Sequence, residues 1–269
     1  MRAGLAFGIR EGDRSGAEHI GSRVEELGYE ELWANDSGGY TGVATLDDSS
    51  RETRNIALAI GVIPLHRFGV SEIVDQLQRS ALPMERLTLG IGAGINRGLA
   101  DVRTAVAELR EQRPDVKIAI AAVGPRMCQL GGQIADVVLL SWATPNRIRW
   151  ARERIAGGAE EAARPVPRVA AYVRVALGAG GEERIRHEIG RYQTAPHYAR
   201  SFSEQEDDLI GIALERPNAD VLAQRLEPYR AALDTCVVRG LPATDDVDAW
   251  LEIAELAAPQ RPRDLASSR

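Results

Sequence analysis

The stretch Lys117-Ile118-Ala119-Ile120-Ala121-Ala122-Val123-Gly124-Pro125-Arg126-Met127-Cys128-Gln129-Leu130-Gly131-Gly132-Gln133-Ile134-Ala135-Asp136-Val137-Val138-Leu139-Leu140-Ser141-Trp142-Ala143-Thr144-Pro145 decides the fold. Two unbroken apolar runs, 117–122 and 137–141, are separated by an amphipathic stretch, 125–134. Runs that do not alternate with polar residues are expected of parallel strands covered on both faces. Pro125 and Pro145 each stand just past a turn, where the first turn of a helix tolerates a missing N–H. The unit reads strand, helix, strand, helix.

The same unit recurs along the chain. Further strands are expected at 4–7, 31–35, 56–63, 87–92, 169–177 and 235–239, which makes eight. Helices are expected at 16–27, 71–82, 101–110, 145–156, 219–233 and 245–257. In the first of these, Ile20, Val24 and Leu27 share a face and Gly28 stops it. In the second, Ser71 reads as the N-cap before Ile73, Val74, Leu77 and Leu82. Strict alternation over eight strands predicts an α/β fold, a (β/α)8 TIM barrel. An open flavodoxin-like sheet with a helical addition is the alternative.

Two segments break the pattern. Residues 41–54 should hold the second barrel helix, yet Leu46-Asp47-Asp48-Ser49-Ser50-Arg51-Glu52 is too polar for a well-buried one. Residues 178–217 follow the seventh strand with Tyr192, His197, Tyr198 and Phe202, and read as a helical insertion over the barrel's top. The expectation is one barrel domain over 1–258, trimmed after its second and fourth strands, and a polar tail over 259–269.

Composition excludes several function classes. The 269 residues are 44% hydrophobic and 27% charged, the balance of a soluble globular chain, with no apolar run that reaches the length of a membrane span. Net charge is −6 with the charges scattered, so no nucleic-acid surface is expected. Cys128 and Cys236 lie in apolar runs without metal spacing and read as buried thiols of a reducing, cytoplasmic compartment. The four histidines, His19, His66, His187 and His197, form no ligand pair, so no protein-bound metal is expected. Lys117 is the only lysine and precedes its strand, at the wrong end for a Schiff base.

In such barrels the active site gathers at the C-terminal ends of the strands. Those ends read Phe7-Gly8, Asn35-Asp36-Ser37-Gly38-Gly39, Val62-Ile63-Pro64, Gly90-Ile91-Gly92-Ala93-Gly94, Ala122-Val123-Gly124, Ser141-Trp142-Ala143-Thr144, Arg174-Val175-Ala176 and Arg239-Gly240. They are rich in small residues, which let a flat ligand approach the backbone. Titratable groups are few: Asp36, His66, Arg97, Arg174 and Arg239. So little acid–base equipment suits a reaction whose hard step belongs to a cofactor. Each candidate also has a plainer reading. Gly90-x-Gly92-x-Gly94 lacks the spacing and the following acid of a dinucleotide loop. Asp36 is equally a turn cap, His66 a surface side chain, and Arg174 half of an internal ion pair. Tyr192, His197 and Tyr198 read as helix core.

The chain resembles the luciferase-like monooxygenase superfamily, on the branch of the F420-dependent methylenetetrahydromethanopterin reductases. The resemblance rests on Leu27-Gly28-Tyr29-Glu30-Glu31-Leu32-Trp33, Gly61-Val62-Ile63-Pro64-Leu65, Arg86-Leu87-Thr88-Leu89-Gly90-Ile91-Gly92-Ala93-Gly94, Ala122-Val123-Gly124-Pro125-Arg126-Met127, the stretch from Ile134 to Pro145, and Ala171-Tyr172-Val173-Arg174-Val175. It implies a cofactor across the barrel mouth, its ring near the third and fourth strand exits. Cofactor contacts would then come from Asp36, Ser37, Gly61, Val62, Ala93, Gly94, Ala122, Val123, Gly124, Ser141, Trp142, Ala143 and Arg174. It also implies a cis peptide at Gly61–Val62, and a cofactor phosphate held where Ser141-Trp142-Ala143-Thr144 leads into a helix.

Departures from the family pattern narrow the chemistry. Asp36 is followed by Ser37 where many relatives have histidine, and Gly94-Ile95-Asn96 lacks the glutamate of some dehydrogenases. Hydride delivery from reduced coenzyme F420 to a C=C or C=N bond of a small molecule fits better than sugar-phosphate oxidation, with His66 or Tyr40 as candidate catalytic proton donors. The alternatives are a monooxygenase using reduced FMN, and a barrel that binds a flavin or deazaflavin without catalysis. Relatives commonly pair through helices on one side of the barrel, so a homodimer is one open assembly, with 41–54 altering that contact.

Overall fold

Eight parallel strands close on themselves because each finds a partner along both edges. The computed structural model describes residues 1–8, 13–35, 41–205 and 209–259. Strands β1 (Arg2–Phe7), β2 (Glu31–Ala34), β3 (Ala57–Pro64), β4 (Leu87–Gly92), β5 (Lys117–Ala122), β6 (Val137–Ser141) and β7 (Arg168–Leu177) run side by side in that order. The barrel's eighth strand, β9 (Thr235–Gly240), pairs with both β7 and β1 and closes the ring. This is the (β/α)8 barrel that the alternation predicts.

The helices α1 (Arg14–Glu26), α2 (Gly42–Ser50), α3 (Val70–Arg79), α4 (Leu99–Gln112), α5 (Pro125–Ile134) and α6 (Pro145–Glu161) each follow their strand. After β7 come α7 (Gly181–Gln193), α8 (Pro196–Ser203) and a three-residue strand, β8 (Ile212–Leu214), before α9 (Ala219–Ala232); α10 (Val247–Leu256) follows β9. β8 is absent from the sequence expectation, being too short to show a period. It pairs with Val175–Leu177, whereas β6 pairs with Arg168–Tyr172. Val175 also pairs with Gly240 of β9, so β8 takes the edge of β7 that β6 has left.

Side-chain size decides which face of each strand lies where. On β5, Ile118 and Ile120 point to the helix layer and Ala119 points into the barrel. The interior admits few large groups, chiefly Trp33, Leu139, Tyr172 and Val237, and Trp33 meets Tyr172 edge-on at 5.9 Å. Isoleucines and leucines outside the barrel contribute about 1.5–3 kcal/mol each when fully buried. At the closed end Glu31, 2% exposed, accepts from Arg2 at 2.9 Å, Arg168 at 2.5 Å and the Trp33 indole at 3.0 Å. Among the described residues no helix is long and apolar enough to cross a membrane.

Three expectations are corrected. Residues 42–50 do form a helix, and Thr45, Asp48, Ser49 and Ser50 on it are buried. Its hydroxyls bond inside the helix, Ser49 to the Thr45 carbonyl at 2.8 Å and Ser50 to that of Asp47 at 3.0 Å, while Arg14 pairs with Asp48 at 2.8 Å. Once those polar groups are satisfied, burial is affordable. Ser71 is not the cap of α3, which begins at Val70 with Glu72 reaching back to the Gly69 N–H at 2.9 Å. No peptide among the described residues is cis. Instead β3 bulges: Ile60 pairs with Leu89 and Ile63 with Ile91, three steps on β3 against two on β4. The extra residue turns Gly61 and Val62 both toward the barrel interior.

Glu25 anchors the start of β3 by accepting the N–H groups of Asn55, Ile56 and Arg54 at 2.6, 2.7 and 2.9 Å. Burial pushes its pKa up, but these bonds and the Arg86 charge outweigh it and hold the carboxyl below its ordinary value. A depressed folded-state pKa gives stability that is present above the unfolded value and is lost as pH falls through the folded one. Glu25→Gln is therefore expected to cost about 1–2 kcal/mol at pH 7. In urea melts that gap should shrink toward zero on acidification below the ordinary carboxylate range. The two thiols, Cys128 and Cys236, are free and buried, and burial pushes each up to about 12. Neither is expected to react with iodoacetamide at pH 7 until the protein is unfolded, a contrast that mass spectrometry reads directly.

Candidate functional site

The strand exits form two unlike walls around the mouth. One wall, from β3, β4 and β5, is made of small groups. A methyl placed on Gly92 would meet Val62 at 2.8 Å and Ala121 at 3.5 Å, so these three residues face one another. Gly90 lies against the bulge, where a methyl would overlap the carbonyl oxygens of Ile60 and Gly61. Gly124 faces open space. This is a flat floor without a charged side chain.

The opposite wall is polar. Asn35, at the exit of β2, donates to the Tyr172 hydroxyl at 2.8 Å and accepts from Arg239 Nε and Nη2 at 2.7 and 3.1 Å. Two residues beyond Tyr172 on the same face of β7, Arg174 is 3% exposed and donates to the Ser141 hydroxyl at 2.8 Å. Its guanidinium lies over the Trp142 ring at 4.0 Å. Desolvation holds the Arg239 pKa below its ordinary value, with Glu188 opposing and Arg174 reinforcing the shift.

The insertion roofs this polar side. Trp142 packs edge-on against Tyr192 at 5.5 Å and Phe202 at 6.0 Å, and Tyr192 meets Tyr198 at 4.8 Å. Burial pushes the Tyr198 phenol up to about 12, so it is a neutral donor throughout the physiological range. The insertion also reaches the start of α6. Gln205 accepts the Thr144 N–H at 2.8 Å and donates to the Trp142 carbonyl at 3.0 Å, and Glu204 pairs with Arg147 at 2.9 Å.

The residues singled out from sequence divide as follows. Gly61 and Val62 face the interior, Val123 and Gly124 are half-buried just past the exit of β5, and Ala93 packs against the helix-side cluster. Gly94, at φ +71°, backs onto the His66 ring, whose Nδ1 accepts the Ile95 N–H at 3.1 Å. Ala122 turns its side chain to the helix layer; Ala121 is the β5 residue at the mouth. Ala143 likewise packs among the helices, and Trp142, at φ +55°, lies under the insertion with its indole nitrogen unpartnered. Ser141 and Arg174 meet on the polar wall. Asp36, Ser37 and Tyr40 lie outside the described residues. His197 is exposed and stacks on Tyr198 at 4.7 Å rather than entering a core.

Sequence reasoning did not assign roles to Ala121, Asn35, Tyr172, Arg239, Glu204 or Gln205. Alternation of Ile118 and Ile120 with Ala119 and Ala121 carries the signal for the first, because a narrow barrel interior selects the smaller set. Nothing in the sequence marks Gln205. Among the described residues no cluster of three or more His, Cys, Asp or Glu side chains is arranged to hold a metal.

The family model for luciferase-like monooxygenases matches residues 99–232, from the start of α4 to the end of α9. No curated protein matches by sequence. Among solved structures the chain is similar to the coenzyme F420-dependent tetrahydromethanopterin reductase of Methanopyrus kandleri, at 16% identity and TM-score 0.67, covering 94% of this chain and 97% of that one. An F420-dependent secondary alcohol dehydrogenase, in complex with an F420-acetone adduct, gives TM-score 0.73 at 13% identity over 94% and 97%. The oxygenating constituent of 3,6-diketocamphane monooxygenase from Pseudomonas putida, in complex with FMN, gives 0.63 at 14% over 96% and 97%. At these identities the likeness is one of fold.

Proposed function

Because residues 99–232 match the model of the luciferase-like monooxygenase family, whose members are oxidoreductases, we propose that this chain is an F420-dependent oxidoreductase acting on a small molecule. One observation carries the choice of deazaflavin over flavin. Past β4 the chain runs through exposed Gly94, Ile95 and Asn96 directly into α4, so that between these two elements no segment covers the small-residue wall. Oxygen chemistry on a reduced flavin needs water kept out; hydride transfer asks for less.

The residues present suit a planar ring. The Val62, Gly92 and Ala121 floor offers contact area made of small groups, and beside it the Tyr172 hydroxyl and the Asn35 amide stand against Gly61. Bound in its reduced form, F420 supplies a hydride to a C=C or C=N carbon of the substrate. The chain's own contribution is to bind, orient and protonate. With His66 Nδ1 engaged by the Ile95 N–H, the neutral imidazole carries its proton on Nε2, where it is available to a neighbouring substrate atom. The phosphate would take the first-turn donors of α6 together with Arg147, displacing Gln205 and Glu204 from them.

The second reading, an FMN-dependent oxygenase, rests on the FMN-bound neighbour of comparable fold similarity. A binding titration separates the two. Micromolar affinity for F420 with none for FMN supports the proposal. The reverse preference favours the oxygenase, and failure to bind either overturns both.

A further inference from the structure

Half of the described arginines find a carboxylate. Arg168 pairs with Glu31, Arg147 with Glu204, Arg152 with Asp234 and Arg113 with Asp115, on and below the surface alike. Two that point into the barrel mouth do not. Among the described residues neither Arg174 nor Arg239 has a carboxylate oxygen within 4.0 Å, the limit for an ion pair. Among the described residues Arg174 is bonded only to the neutral Ser141 hydroxyl, and its buried Nε has no partner. Arg239 is bonded to the Asn35 amide and the Gly240 carbonyl, again neutral. On the facing insertion, Glu188 leaves its buried Oε2 without a hydrogen bond. Burying guanidinium groups without a carboxylate bonded to them is expensive, and among the described residues two stand so on one wall, with the Glu188 charge acting on Arg239 from beyond ion-pair distance.

We propose that Arg174 and Arg239 form the recognition site for an oxyanion carried by the substrate, a carboxylate. This rests on reading the mouth as the substrate chamber of an oxidoreductase. A carboxylate is planar and accepts in pairs, matching the fork of donors that each guanidinium presents. Arg174 lines a narrow gap with Trp142, Tyr172, Ile210 and Gly211, at the point where β7 has lost β6 and not yet met β8. Arg174 is held in aim by Ser141 and the Trp142 face, and Arg239 by Asn35 and the Trp250 ring at 5.2 Å. Both arginines stand on the polar wall, which meets the small-residue floor where Tyr172 and Asn35 stand against Gly61.

Calorimetric titration of the full chain with benzoate and acetate, each against its neutral amide, tests this. At least one carboxylate is expected to bind ten times more tightly than its amide, and Arg174→Gln and Arg239→Gln should each erase that preference, with F420 affinity holding in Arg239→Gln. Equal affinity for carboxylate and amide in both pairs overturns the proposal, whether or not the variants fold. Variants that lose F420 but keep the carboxylate preference overturn it too, since the pair would then serve a cofactor phosphate. A chain that prefers carboxylates but ignores F420 supports the arginine pair and counts against the cofactor reading alone.

Discussion

Gly90→Ala is expected to destabilise the barrel and remove cofactor binding in one step. Gly90 faces the interior on β4, and its missing side chain is the space taken by the carbonyls of Ile60 and Gly61 in the β3 bulge. Those are backbone atoms, fixed by the strand pairing on either side, so no rotamer change relieves a methyl. Overpacking of this kind costs about 1–3 kcal/mol where the surroundings yield, and more where they do not. For a chain of this size that lowers the melting temperature by several degrees, at roughly 2–4 °C per kcal/mol. The backbone least able to stay in place is the Gly61–Val62 segment, so F420 affinity should fall by at least tenfold in whatever fraction remains folded. Gly98→Ala is the control: its methyl would have only the Asp101 carboxylate at 3.9 Å and should leave both properties unchanged.

Gly124→Phe should separate the two effects. Gly124 caps α5 with φ −94° and ψ 165°, extended backbone that any residue adopts, and no atom lies within 4 Å of where its Cβ would stand. The Cβ of the new side chain therefore meets nothing in the chain itself, and thermal stability is expected to stay within about 0.5 kcal/mol of the parent. The ring it projects would instead occupy space above the small-residue floor. Loss of F420 affinity by tenfold or more at unchanged melting temperature is the expected result, read by titration and calorimetry on the same sample. Unchanged affinity would place the ligand elsewhere.

The barrel was legible because its strands carry their burial in composition. Leu87–Gly92, Lys117–Ala122 and Val137–Ser141 coincide with their apolar runs, and α5 with the stretch that Pro125 opens. What the sequence hid is what depends on tertiary partners. The α2 helix reads as too polar because its serines and threonine bond back to their own helix and Arg14 comes from another. The bulge in β3 depends on the glycine opposite it, on β4. For the site, small residues announce the floor by number but not by facing, so nothing in the letters separates Ala121, whose side chain faces the mouth, from Ala122, whose side chain faces the helices. The polar wall was visible only as separate letters. Tyr172 and Arg174 are two apart on one strand, but Asn35, Ser141 and Arg239 join them only when the barrel closes.

The central claim is that the floor formed by the exits of β3, β4 and β5 holds the ring of a deazaflavin. Backbone hydrogen exchange of the full chain, with and without F420, tests it most directly. Slowed exchange concentrated at 61–66, 90–95 and 121–125 is the result this account predicts. Unaltered exchange there, with protection confined to 181–203 or absent throughout, would contradict it.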